Sequence, residues 1–97
     1  MGRLHVVWNK TAVVQFDTIA TWYMMRVGQQ AATHFANDVY ACVETLSRMP
    51  TIGSLDTRRS NAIRKYYSFL FHPKYRLIYR FSKSRLYIVA FHATMKG

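Results

Sequence analysis

Arg76, Arg80 and His92 are the residues of this chain whose types and spacing invite chemistry on an anion. In the run YRLIYRF, Tyr75, Leu77, Tyr79 and Phe81 alternate with Arg76, Ile78 and Arg80, so a strand would carry both guanidinium groups on one face with Ile78 between them. Two fixed cations on one face can hold phosphates or carboxylates, and they equally describe a plain solvated sheet face. His92 follows an apolar run, and histidine as a residue type suits proton transfer, but no second base stands out in the sequence to work with it. A structural role, with one ring nitrogen donating to backbone and the other accepting, accounts for it as well. Arg58, Arg59, Arg64 and Lys65 gather beside a loop as a basic patch. Tyr66, Tyr67, Tyr75, Tyr79 and Tyr87 have rings on which bases could stack, although tyrosine favours strands intrinsically and about half of them are expected in core or cross-strand packing.

Other chemistries find no residues to support them. His5, His34, His72 and His92 lack short ligand spacing, and with only 4 Asp and Glu in the chain no metal site is expected. The four glycines form neither a GxGxxG nor a Walker pattern, so no nucleotide or other cofactor is expected. Cys42 has no partner for a disulfide, and its neighbours Val39, Val43 and Leu46 mark it as a small buried hydrophobe. Trp8 and Trp22 read as hydrophobic anchors. The 14 Lys and Arg give a formal net charge of +10, a field that draws in polyanions and acidic proteins. No apolar run is long enough to span a membrane and the N-terminus lacks a secretory signal, so a cytoplasmic location without a membrane partner is expected.

These residues need elements to position them, and 97 residues allow a single domain, 1–97. Leu4 to Trp8 is rich in β-branched residues and reads as a strand. Asn9 or Thr11 can then cap a helix whose apolar face is Ala12, Phe16, Ile19, Ala20, Tyr23 and Val27, ended by Gly28. A second helix shows Ala32, Phe35, Val39, Cys42, Val43 and Leu46 on one face and stops at Met49, before Pro50. The two helices should form an antiparallel hairpin. Pro50 to Asn61 is an exposed, mobile loop, and three β-type runs follow: Ala62 to Phe71, Tyr75 to Phe81 and Leu86 to Phe91. The expected fold class is therefore α+β: an N-terminal strand, a two-helix hairpin, and a three-stranded antiparallel meander, forming one twisted sheet with a cationic outer face.

The segments VVWNKTA, ETLSRMPTIGS, YRLIYRF and FHATMKG, in this order and spacing, resemble the RelE/ParE superfamily of toxins from type II (plasmid stabilisation) toxin-antitoxin systems. The resemblance spans nearly the whole chain. It implies a helical hairpin packed on a sheet of about four strands, and a hetero-oligomer with a cognate antitoxin whose acidic tail would add a helix in a groove or a strand at a sheet edge. RelE-like members cleave messenger RNA on the ribosome with a cluster of basic side chains. Arg76 matches the arginine they place beside the scissile phosphate, but two lysines of the prototype fall on Tyr67 and Phe69 when the strands are aligned through YRL. ParE-like members instead inhibit DNA gyrase, and their histidine, two residues, methionine ending matches His92 and Met95. The expectation is thus a ParE-like, non-enzymatic toxin. A ribosome-dependent messenger RNase using Arg76 and His92 is the alternative, and a non-catalytic nucleic-acid-binding module is a second.

Overall fold

The computed structural model describes residues 2–94. Strand β1 (His5–Trp8) leads into helix α1 (Lys10–Arg26) and helix α2 (Gln29–Arg48), a 3-10 turn at Pro50–Ile52 and a two-residue strand β2 (Ser54–Leu55). Strands β3 (Tyr67–His72), β4 (Tyr75–Phe81) and β5 (Arg85–Ala93) complete one five-stranded sheet in the order β1-β5-β4-β3-β2. The α+β fold class stands, with one strand more than the sequence suggested. The pairs among β2 to β5 are antiparallel, and β1 lies parallel to β5.

Local chemistry fixes most of the element ends. The Asn9 side chain accepts from the Ala12 N–H at 3.1 Å, which closes the N-terminus of α1. Between the helices Gly28 takes φ 137°, a backbone region that side chains disfavour, and the N–H groups of Val27 and Gly28 both reach the Tyr23 carbonyl at 2.9 Å. All six positions expected on the inner face of α2 are buried. Helix α1 differs: Ala12, Phe16, Ile19, Ala20 and Tyr23 join the core, but Val27 is 64% exposed, as are Val14, Trp22 and Met25 to a large degree. Trp8 does anchor, packing on Phe16 and Phe91, whereas Trp22 only covers its neighbour Tyr23 and carries the Arg26 guanidinium 5.9 Å from its ring centroid.

Strand β3, the first of the three expected β-type runs, begins five residues later than the sequence suggested. Residues 62–66 are held out of the sheet by local bonds, in which Asn61 Oδ1 accepts from Ile63 N and Arg64 N, and Ser60 and Tyr66 exchange two hydrogen bonds. The expected loop at 50–61 is also more ordered than expected, because it contains the 3-10 turn and β2. The buried Tyr79 hydroxyl ties it down, donating to the Pro50 carbonyl at 2.6 Å and accepting from Gly53 N at 3.1 Å.

One bulge sets which residues of β5 face the helices. Val89 is an extra residue between the Ile78–Ala90 and Tyr79–Ile88 pairs, so Leu86, Ile88 and Phe91 all turn to the core while Ala90 and His92 turn away. Gln15 of α1 accepts from the Phe91 N–H at 2.7 Å, supplying a partner where the ladder is interrupted.

Candidate functional site

The sheet face turned away from the helices is the cationic surface anticipated from the alternation in YRLIYRF. Arg76 and Arg80 stand on it, flanking Ile78, which is only 2% exposed. Through the bulge in β5, Arg76 lies directly across from His92 and Arg80 directly across from Tyr87. The Arg80 guanidinium sits 3.9 Å from the centroid of the Tyr87 ring, a cation–π contact that holds it flat against the sheet. On the other side of Arg76 the neighbour is Leu70, and Ser68 follows it beside Ile78. No carboxylate occupies this face of β3, β4 or β5.

Tyr67 and Phe69, the positions aligned with the nuclease lysines, point the opposite way. Both pack on the helix side against the core, Tyr67 stacking on Tyr79 at 5.8 Å. The residues that flank Arg76 and Ile78 on β3 are instead Leu70 and Ser68, and neither transfers protons near neutral pH. Tyr75 also turns inward, packing on Phe35 and His72. Tyr79 is fully buried, and burial pushes its phenol up to about 12. Burial, with Tyr75 as a second cause, raises the Tyr23 phenol as well. Of the five tyrosines considered for stacking, Tyr87 alone lies on the cationic face of the three long strands, beneath Arg80.

The loop cations fall into two groups on one closed loop, fastened where Asp56 N donates to the Tyr66 carbonyl. Asp56 organises its first turn, accepting from the backbone of Arg58 and Arg59 and pairing with the Arg59 guanidinium at 3.5 Å. Arg59 is thereby partly neutralised. Arg64 and Lys65 join Arg80 around an open groove of about 430 Å³ floored by Tyr67 and Phe81. Ile63, at the tip of the loop, is 94% exposed beside it. Neither Ile63 nor Phe81 stands out as a site residue in the sequence, where the apolar Ile63 inside the polar stretch SNAIRK is the available signal.

His92 is exposed, and its ring makes no hydrogen bond among the described residues. Met95 lies outside the described residues. Arg76 with His92 can hold an anion and supply one imidazole, but cleaving a phosphodiester needs both a proton acceptor and a donor. Among the described residues no group of three or more His, Cys, Asp and Glu is placed to hold a metal, and no helix is long and apolar enough to cross a membrane.

The family model for the ParE toxin of the type II toxin-antitoxin system parDE matches residues 6–94. The chain belongs to the ParE toxin family. Solved structures share its fold at low sequence identity. A chain of the chromosomal ParDE toxin-antitoxin system from P. aeruginosa superposes on this toxin with a TM-score of 0.77 at 14% identity, covering 96% of this chain and 98% of that one. The YoeB/ParE toxin from Agrobacterium tumefaciens gives 0.63 at 14% identity, covering 95% and 100%. The YoeB dimer from Staphylococcus aureus gives 0.61 at 16% identity, covering 92% and 94%. No curated protein matches the toxin by sequence. The family membership makes this chain a toxin of a type II toxin-antitoxin system, and such a system implies an antitoxin partner.

Proposed function

We propose that this ParE-family toxin arrests growth without catalysis, by binding an essential target for which DNA gyrase is the leading choice, and that a cognate antitoxin with an acidic tail neutralises it. The observation that carries the non-enzymatic reading is the surroundings of Arg76. Its cross-strand neighbours are Leu70 and His92, with no lysine or carboxylate beside it on the three long strands. A cationic face of this kind supports recognition of an acidic surface more readily than acid–base chemistry. The gyrase target rests on the FHATMKG ending, which resembles that of ParE-like members. Neutralisation is supported by the formal charge of +10 and the scarcity of acidic residues to offset it.

Controlled expression in bacteria, with DNA breaks and transcript integrity read separately, tests this. DNA breaks and stalled replication with intact transcripts support the proposal; cleaved transcripts with ends at codon positions refute it. The Arg76–His92 juxtaposition favours a second reading, the ribosome-dependent messenger RNase, because it sets a fixed cation beside an imidazole. On that reading Arg76→Ala or His92→Gln abolishes transcript cleavage.

A further inference from the structure

Of the 4 Asp and Glu in this chain of net charge +10, Glu44 is engaged with Arg3 and Arg48, and Asp56 with Arg59. Asp17, exposed on α1, forms no ion pair among the described residues. Its neighbours one helical turn away, Val13, Val14, Ala20 and Thr21, bring no cation to it either. The acid stands open on the helix side of the molecule, away from the cationic sheet face.

Asp17 lines a pocket of about 250 Å³ between α1, α2 and the end of β1, together with Trp8, Val13, Phe16 and Tyr40. Phe16 links the rings: Trp8 meets it edge to face with centroids 5.7 Å apart, and Tyr40 lies tilted against it at 5.8 Å. Tyr40 is 57% exposed, so the pocket opens to solvent. Its volume is below the usual range for a metabolite or cofactor site and suits the end of one side chain. Aromatic faces attract cations, and a carboxylate beside them adds its full charge. A guanidinium fits this pairing best, because it is planar, weakly hydrated and able to stack on a ring while its N–H groups reach a carboxylate.

We infer that the pocket of Trp8, Phe16, Tyr40 and Asp17 binds the guanidinium of an arginine side chain presented by a partner protein of net negative charge, the rings receiving its flat face and Asp17 its N–H donors. The field of the whole chain selects that source. A charge of +10 repels free cations in solution and a second copy of this chain alike, whereas an arginine carried on an otherwise acidic protein is drawn in by the same field. The inference does not depend on which target the toxin strikes or on catalysis.

The test follows the fluorescence of Trp8 in the purified Trp22→Phe toxin, which leaves one tryptophan as reporter, and repeats each titration by calorimetry. Three probes are compared: the peptide Glu-Glu-Gly-Arg-Gly-Glu-Glu, the same peptide with uncharged citrulline replacing arginine, and agmatine as a free guanidinium. The expected result is saturable binding of the arginine peptide and about tenfold weaker binding of the citrulline peptide. Agmatine should bind more weakly than the arginine peptide. Asp17→Asn and Tyr40→Leu should each weaken the arginine peptide about threefold. Both positions are exposed, so these variants should keep the wild-type unfolding transition, which is checked in parallel. No saturable binding, equal binding of the arginine and citrulline peptides, or undiminished binding by either variant overturns the inference. So does agmatine binding as tightly as the arginine peptide, since the ligand is then a free cation, or sedimentation that shows the toxin alone associating in a manner abolished by Asp17→Asn, since a second copy then fills the pocket. Because these readouts involve no growth assay, failure here is distinct from failure of the toxin mechanism.

Discussion

Replacing Tyr79 with phenylalanine removes one oxygen and, with it, both bonds that hold the chain between α2 and β2. The hydroxyl donates to Pro50 O at 2.6 Å and accepts from Gly53 N at 3.1 Å, and the ring itself is fully buried against Tyr67 and Phe81. The substitution keeps the ring, so it opens almost no cavity and the loss is polar. Each backbone group left without its partner costs about 1–1.5 kcal/mol where water reaches it in part, which sets the total at about 2–3 kcal/mol. For a domain of this length that lowers Tm by roughly 10–20 °C. Thermal unfolding followed by circular dichroism gives the magnitude, and amide exchange at residues 50–55 should accelerate more than exchange within α2. The pH dependence supplies an independent check. Burial raises the Tyr79 phenol from its ordinary 10 to about 12, so its contribution is whole below pH 10 and fades as pH climbs through 12. The gap between wild type and Tyr79→Phe should therefore narrow over that window. A loss under about 0.5 kcal/mol at neutral pH, or a gap unchanged between pH 10 and 12, refutes the reasoning. Gly53→Ala probes the same contact from the other side: a Cβ there would stand 2.3 Å from the Tyr79 oxygen and 2.8 Å from the Ser68 carbonyl, so it should destabilise, and Tyr79→Phe should relieve only the first clash.

Other substitutions separate core from surface. Phe35, 2% exposed and packed on Phe16, Tyr23, Phe71 and Tyr75, should cost about 3–5 kcal/mol on replacement by alanine, measured by urea unfolding. Gln15→Met removes the acceptor for the Phe91 N–H and should cost about 1–3 kcal/mol in the same assay. Arg76→Ala and His92→Gln should each leave stability within about 0.5 kcal/mol, so any lost toxicity, scored by colony counts, reports on function and not on folding. Cys42 is buried and its thiol is pushed up to about 12, so a thiol-reactive dye should label it only as fast as the protein opens.

The helices and β4 were legible in the sequence because each carries its own period. The apolar positions of α2 and the alternation Tyr75 to Phe81 survive intact in the structure. Strand β2 was not legible, since two residues have no period and their place depends on a hydroxyl 26 residues away from Gly53. The late start of β3 was hidden for the opposite reason: Ser60 bonds Tyr66, Asn61 bonds Ile63 and Arg64, and these local bonds outcompete the sheet. For the candidate site, the shared face of Arg76 and Arg80 could be read, but its pairing with His92 could not. Strict alternation from Leu86 would have turned His92 inward and Phe91 outward, and only the added Val89 reverses them.

The order β1-β5-β4-β3-β2 also governs when this toxin comes into being. Strand β5 lies between β1 and β4, touching both, and it is the last of the strands to leave the ribosome. Until it emerges, Val6 and Trp8 lack the Leu86 and Ile88 they pack beside, and the two flanks of the sheet are not joined. A growing chain that has reached only the β3–β4 hairpin is therefore an open, sticky intermediate without the Arg76–His92 surface. The finished sheet, and with it the surface that pairs Arg76 with His92, exists only when synthesis is nearly complete.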